Sequence, residues 1–293
     1  MIPILAIMLV LELLLRGIPN PYKVKSDFLE ANNKSIETLI LGSSHAFYGV
    51  NPVFLSNKAI NFANVSQTID IDYQLLEHFA PSLPNLKYVI IRLSYATLYE
   101  QLGNSNESWR LKDYNLYTSM RLDWSIKHQF EVLSVKLDTN IERVLQYYFF
   151  DSFELNTNEH GWGITSKTNL TLNESGLYAA KKHTIQDKSF YTENVKNLET
   201  IVNYCNTRNI QVVLVTTPTH KSYFSNLDDE QLKPMQHIGE MMEKKYDNCR
   251  YYNLLKSSMF TDADFFDGDH VNAKGAEKLT KLINQALLRL EKN

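Results

Sequence analysis

Apolar residues along this chain follow two alternating rhythms. Short continuous runs end at turn-forming residues: Glu37 to Leu41 stops at Gly42, Ala59 to Ala63 is followed by Asn64, and Tyr88 to Leu93 is broken only by Arg92. Gln211 to Thr216 and Cys249 to Leu254 are of the same kind. Continuous apolar runs of this length predict strands buried on both faces. Between them the spacing becomes helical. Asp70 to Phe79 carries Ile71, Leu75, His78 and Phe79, and Tyr191 to Asn206 carries Leu198, Ile201, Val202 and Cys205 on one face. A final helix from about Ala273 repeats Ala276, Leu279, Ile283, Ala286 and Leu287 at three- and four-residue steps. Asn51 followed by Pro52 predicts a capped short helix through Leu55. Strand and helix in alternation predict an α/β fold, a parallel sheet with helices on both faces. Sites in such sheets lie at the carboxyl ends of the strands. Ser44, Ser66, Ser94 and the loop Thr217 to His220 are expected there.

Two stretches depart from this rhythm. Ile2 to Leu15 is apolar except for Glu12, then gives way to Arg16, Gly17 and Pro19-Asn20-Pro21. Fifteen helical residues span ~22 Å against ~30 Å of hydrocarbon, short for a complete crossing. Residues 1–18 therefore read as a membrane anchor or truncated signal-anchor helix whose start lies upstream; a buried N-terminal helix is the other reading. The positive-inside rule applied to Arg16, Lys23 and Lys25 leaves its orientation open. The second departure, residues 100–189, is rich in Tyr, Trp, Asn and charge, with Trp109, Trp124, Tyr147 to Phe150 and Gly161-Trp162-Gly163. It is expected to be an inserted cap subdomain on the Ser44 side of a domain spanning 35–293, mainly helical between about Ser125 and Phe150. Its aromatic faces suit sugar rings, or else form the insertion's own core.

Composition narrows the chemistry. With 293 residues, 44% hydrophobic, the chain can bury a large core, and a net charge of −3 offers no nucleic-acid surface. The eight histidines show no metal-ligand spacing, and neither a metal nor a cofactor is expected. Cys205 and Cys249 are either a disulfide in an oxidising compartment or two buried thiols.

The candidate chemistry lies in two short segments. Gly42-Ser43-Ser44-His45 follows the first strand, and Asp267-Gly268-Asp269-His270 precedes the last helix. Together they hold a nucleophile, a base, and a carboxylate to orient the base, the three parts of serine acyl transfer. Asp267 and His270 are three apart, so one turn carries both on one side. Asp269 and Asp264 are alternative carboxylates. His45 is expected to be structural or substrate-adjacent, since its neighbour Ser44 points the other way on an extended segment.

These segments resemble the SGNH (GDSL-like) hydrolase superfamily. Gly42-Ser43-Ser44 stands where that family has Gly-Asp-Ser, and Asp267 and His270 occupy the places of its last block. Asn61 to Thr68 is similar to the second block, with Ser66 where a glycine of the oxyanion hole is expected. Val89 to Thr97 is similar to the third, with Ala96 where an asparagine donor stands. The resemblance implies a flavodoxin-like parallel sheet, a catalytic set of Ser44, Asp267 and His270, and oxyanion donors from Ser44 and Ser66. Ser94, Tyr95 and Thr97 are candidates for the third donor, and Tyr95, Thr219 and His220 for substrate contact. Ser43 is expected to point inward and bond neighbouring loop backbone, a contribution of roughly 1 kcal/mol.

The Gly-Ser-Ser variant with an N-terminal anchor resembles membrane-tethered relatives that serve cell-envelope polysaccharide O-acylation beside membrane-bound O-acyltransferases. It implies an envelope-anchored, extracytoplasmic serine esterase or O-acyltransferase acting on an acylated glycan. The alternative is a catalytically weak protein of the same fold that binds glycan or assists a membrane O-acyltransferase.

Overall fold

The computed structural model describes residues 2–164 and 169–291. In chain order the elements are α1 (Ile2–Gly17), α2 (Pro21–Asn32), β1 (Thr38–Leu41), α3 (Ser44–Gly49), β2 (Ala59–Asn61), α4 (Ile69–Phe79) and β3 (Tyr88–Arg92). The insertion holds α5 (Leu111–Tyr117), α6 (Glu131–Ser134), α7 (Leu137–Tyr148) and α8 (Leu172–His183). The chain then returns through α9 (Tyr191–Asn206), β4 (Gln211–Thr216), α10 (Lys221–Phe224), α11 (Asp229–Lys245), β5 (Cys249–Asn253) and α12 (Ala273–Leu290). The five strands form one parallel sheet in the order β2-β1-β3-β4-β5.

Alternation along each strand divides the core in two. Leu39, Leu41, Val89, Ile91, Val212 and Leu214 face α4, α9 and α11. Ile40, Ile90, Val213 and Val215 face α3 and α12. Every residue of β1 and β3 is buried, the pattern that the continuous apolar runs predict. Helix α12 begins at Asn272, whose side chain accepts from the N–H groups of Lys274 (3.0 Å) and Gly275 (3.1 Å). The cap sequence thus sets the helix start directly after the Asp267–His270 segment.

The insertion is helical where expected, with α6 and α7 between Glu131 and Tyr148. Helix α8 was not expected from apolar spacing. Its start does carry a capping box, Thr171 and Glu174 bonding each other's backbone N–H. Helix α1 packs its last turns on the cap: Leu15 is buried with Ile18 and Val144, and Glu12 accepts from the N–H groups of Glu131 (3.1 Å) and Val132 (3.0 Å). Among the described residues no single helix is long and apolar enough to cross a membrane; α1 and α2 pass that test only as a pair, bent by 58°. Cys205 and Cys249 are separate buried thiols, not a disulfide, and burial pushes both thiol pKa values up to about 12.

Candidate active site

The site is built at the carboxyl end of β1. The chain leaves the strand through Gly42 at φ 121°, and a Cβ there would lie 2.9 Å from Cβ of Arg92 on β3. Only glycine fits so close an approach with that backbone. Ser44 is then the first residue of α3. Asn61, fully buried at the end of β2, donates to the carbonyls of Ala46 (2.8 Å) and Val50 (2.7 Å) and holds this short helix in place.

His270 lies with Nε2 2.8 Å from Ser44 Oγ. Its Nδ1 is 3.0 and 3.1 Å from the two carboxylate oxygens of Asp267. Asp267 Oδ1 also accepts the His270 backbone N–H at 2.8 Å, so the carboxylate is locked in the turn that carries the imidazole. With Nδ1–H donating to Asp267, Nε2 is left to take the Ser44 proton.

Around this row lies a second, more deeply buried one. Asp269 Oδ1 is 3.4 Å from His270 Nδ1, while Oδ2 faces His45 Nε2 at 3.4 Å and His183 Nδ1 at 3.9 Å. Arg92 Nη2 sits 3.0 Å from His45 Nδ1. Arginine only donates, so Nδ1 of His45 accepts and its proton is on Nε2, directed at Asp269. Burial, then the Arg92 charge, holds the His45 pKa well below its ordinary value, so this ring is neutral. For His270, burial opposes the charged form, but Asp269 and the hydrogen bonds of Asp267 and Asp269 outweigh it and raise the pKa. Asp269 is pulled the other way: burial favours its neutral form, and the His270 charge overrides this and lowers the pKa.

His45, Asp269 and His270 bring one ligand atom each within 4.8 Å of one another, the sole such group among the described residues. A metal-bound imidazole ordinarily donates its other N–H to a carboxylate or carbonyl. Here Arg92 occupies the other nitrogen of His45 as a donor, so the cluster fits a hydrogen-bonded charge network and not a cation site.

The cleft over Ser44 encloses about 550 Å³. Its walls are mixed: Gln101, Asn106, Glu107 and Lys182 come from the insertion, with His183 at the end of α8, beside Tyr48, Val65, Ile69, Leu102 and Phe266. Both ends of the insertion therefore stand on the Ser44 side of the sheet. Ser66 has φ 61°, the left-handed conformation that suits the glycine expected there. Its hydroxyl donates to Glu107 (2.8 Å), which Arg110 in turn holds at 2.6 Å. Among the described residues no acceptor takes the backbone N–H of Ser44 or Ser66.

Several expected site residues are not brought to the cleft. Ser94 does not line the cleft; Thr97 does, but its Oγ1 accepts from Arg92 (3.1 Å) and the Ser94 N–H (2.9 Å), which directs its own proton to Ser94 Oγ (3.1 Å). Tyr95 is buried away from the cleft, its hydroxyl bonded to Thr184 Oγ1 and the Asp228 N–H, both at 3.0 Å. Thr219 is buried against the Leu255 carbonyl. His220 caps α10, its Nδ1 2.7 Å from Ser222 Oγ. Asp264 caps the turn at Thr261 and pairs with Lys278 (2.6 Å). Ser43 lines the cleft, and among the described residues its side chain makes no hydrogen bond, contrary to the expected inward anchor. None of the tryptophans lines the cleft; Trp162 instead donates to the Tyr48 carbonyl (2.7 Å) behind α3.

Arg92, His183 and Lys182 were not expected. Arg92 was visible as the lone charge in an apolar strand. The reach of α8 into the cleft depends on Gly176 and Gly268 meeting backbone to backbone: a Cβ on Gly268 would lie 2.0 Å from Gly176 Cα.

The catalytic domain of glycosyl hydrolase family 20 matches residues 151–265, a segment that excludes Ser44, Asp267 and His270. No curated protein matches. Among solved structures, a GDSL-like lipase from Bacteroides thetaiotaomicron is 11% identical with a TM-score of 0.45, covering 92% of this chain and 98% of that one. A catalytic mutant of an acetylxylan esterase from Geobacillus stearothermophilus is 10% identical with a TM-score of 0.39, covering 88% and 94%. Such distant likeness adds no argument about chemistry. The strand order β2-β1-β3-β4-β5 is that of a flavodoxin-like sheet, and it places Ser44 after β1 and Asp267–His270 before α12.

Proposed function

We propose that this protein is a serine-dependent esterase or O-acyltransferase that acts through an acyl-enzyme at Ser44. The observation that carries the reading is His270 Nε2 at 2.8 Å from Ser44 Oγ with Asp267 on the opposite nitrogen. Ser44 Oγ attacks the ester carbonyl carbon while its proton passes to His270 Nε2. Negative charge on the former carbonyl oxygen is met by the unpartnered N–H groups of Ser44 and Ser66. As the intermediate collapses, His270 returns the proton to the leaving alkoxide. Water or a sugar hydroxyl then takes the acyl group by the same steps in reverse.

The side chains of Gln101, Asn106, Glu107 and Lys182 on the cleft wall support a hydroxyl-rich, acylated glycan as substrate. The apolar α1 supports a membrane-tethered location at the cell envelope, where a membrane-bound O-acyltransferase is a fitting partner. One observation favours the second reading, a catalytically weak glycan-binding or assembly protein: Ala96 lines the cleft where a third donor would stand, and a missing donor costs about 10²–10³ in rate.

A fluorophosphonate probe tests the choice. Labelling of the native protein, and none of Ser44→Ala, is the expected result. A folded native protein that never labels leaves the binding reading in its place.

A further inference from the structure

Helix α1 exposes aliphatic side chains around its whole circumference. Ile2, Ile4, Leu5, Ile7, Leu9, Val10 and Leu13 are 57–82% exposed, and at 100° per residue they point in every direction. A groove on a partner protein covers one face of a helix; an environment that accepts all faces is lipid. Where α1 joins the cap, it meets α7, the Tyr148 hydroxyl donating to the Leu14 carbonyl at 3.0 Å. Helix α7 carries its own unpartnered stripe, Leu137, Ile141 and Leu145 followed by Phe149, at steps of four and 38–71% exposed. The flank of α7 beside this stripe is satisfied within the protein, with Val144 in the α1 contact and Asn140 bonded to the Glu131 and Val135 carbonyls, both at 3.3 Å. Trp124, 79% exposed, stands on the loop before α6, with the Arg121 guanidinium 4.3 Å from its ring centre. Aromatic residues with cationic neighbours are typical of the lipid–water boundary.

We infer that the cap is a second membrane contact: the α7 stripe lies in the outer boundary of the same bilayer that α1 enters. The two contacts make one continuous apolar surface, because α1 and α7 are packed together through Leu15 and Val144. A single tether leaves a domain free to swivel, whereas two contacts fix its orientation. Since the same cap also walls the cleft, this orientation holds the Ser44 opening at a set height over the lipid surface. The inference rests on the membrane-tethered part of the proposed function and is independent of Ser44 chemistry.

The test uses the full chain and single cysteines, because both native thiols are fully buried. Leu5→Cys, Ile141→Cys and, as a remote exposed control, Thr207→Cys are labelled with an environment-sensitive nitrobenzoxadiazole dye. They are then mixed with phosphatidylcholine–phosphatidylglycerol vesicles with and without brominated acyl chains. Blue-shifted, bromine-quenched emission at positions 5 and 141, with none at 207, is expected. A response at 5 alone overturns the second contact and leaves the tether standing. Silence at 5 and 141 overturns both. Shielding at 141 that follows protein concentration without lipid shows a second copy covering the stripe, and also overturns the inference.

Discussion

The imidazole of His45 lies over that of His270, ring centres 4.6 Å apart with 32° between the planes. Asp269 lies against both, 3.4 Å from His45 Nε2 and 3.4 Å from His270 Nδ1. Residue 45 thus adjoins the nucleophile in sequence yet acts on the far side of the base. Held neutral by burial and Arg92, it can offer Asp269 a proton donor without adding a second positive charge beside His270.

Asp269 bears on the pH at which the base works. The raised His270 pKa means that free imidazole appears only above the ordinary histidine value of ~6.5. The rising limb of kcat/KM on an activated ester should therefore lie to the alkaline side of that value. Removing one negative neighbour in Asp269→Asn should move the limb to lower pH. An unchanged limb in that variant would show that Asp269 does not govern the base.

The geometry favours Ser44 over Ser43 as the reacting serine. Ser44→Ala should abolish probe labelling by removing the hydroxyl at 2.8 Å from His270. Ser43 is the N-cap residue of α3 yet makes no cap bond with its side chain. Ser43→Ala should accordingly retain labelling and change stability by less than ~0.5 kcal/mol. Intact-mass detection of an adduct on Ser44→Ala, and none on Ser43→Ala, would reverse the assignment.

Asp72 should make stability depend on pH near neutrality. Its Oδ1 accepts from the Gly42 N–H (2.9 Å) and from Gln67 Nε2 (2.6 Å), and burial raises its pKa to about 7. The folded pKa exceeds the unfolded value of ~3.9. Between the two, the folded state binds the extra proton. Stability contributed by this group is therefore intact below ~4 and declines as pH rises to about 7. Asp72→Asn keeps an oxygen for both donors and should flatten the decline in Tm from about pH 5 to about pH 8. Parallel curves for the two proteins would place the pH dependence elsewhere.

Gly176 couples the cap to the catalytic loop. A Cβ on Gly176 would meet Ser222 Oγ at 2.0 Å, and Gly268 N–H donates to Ser175 Oγ at 2.9 Å. Gly176→Ala should cost ~1–3 kcal/mol through overpacking and slow probe labelling by displacing the Asp267–His270 turn. Calorimetry together with labelling rate checks both; a stable variant with native rate would show that α8 gives way without moving the site.

The α/β rhythm and both candidate site segments were legible because they are local. Strands of Gln211–Thr216 type need only a continuous apolar run, and Asp267 and His270 share one turn of backbone. Helix α9 runs from Tyr191 to Asn206, where its spacing placed it. What depended on distant packing was not legible. Ser94, Thr219 and His220 follow strands at the expected end of the sheet, but their side chains bond locally and turn from the cleft. Helix α8 hid behind weak amphipathicity, though Thr171 and Glu174 marked its start.

By itself, then, the sequence determined the alternation of sheet strands and helices, the turn at Gly42, and the residues proposed as nucleophile, base and orienting carboxylate. Only the tertiary structure decided that Arg92, His45, His183 and Asp269 converge behind that base, from four segments scattered between residues 45 and 269. Spacing along a chain specifies which neighbours share a turn or a face. The meeting of a strand end, a cap helix and a loop is set by how layers pack, and no local pattern encodes it.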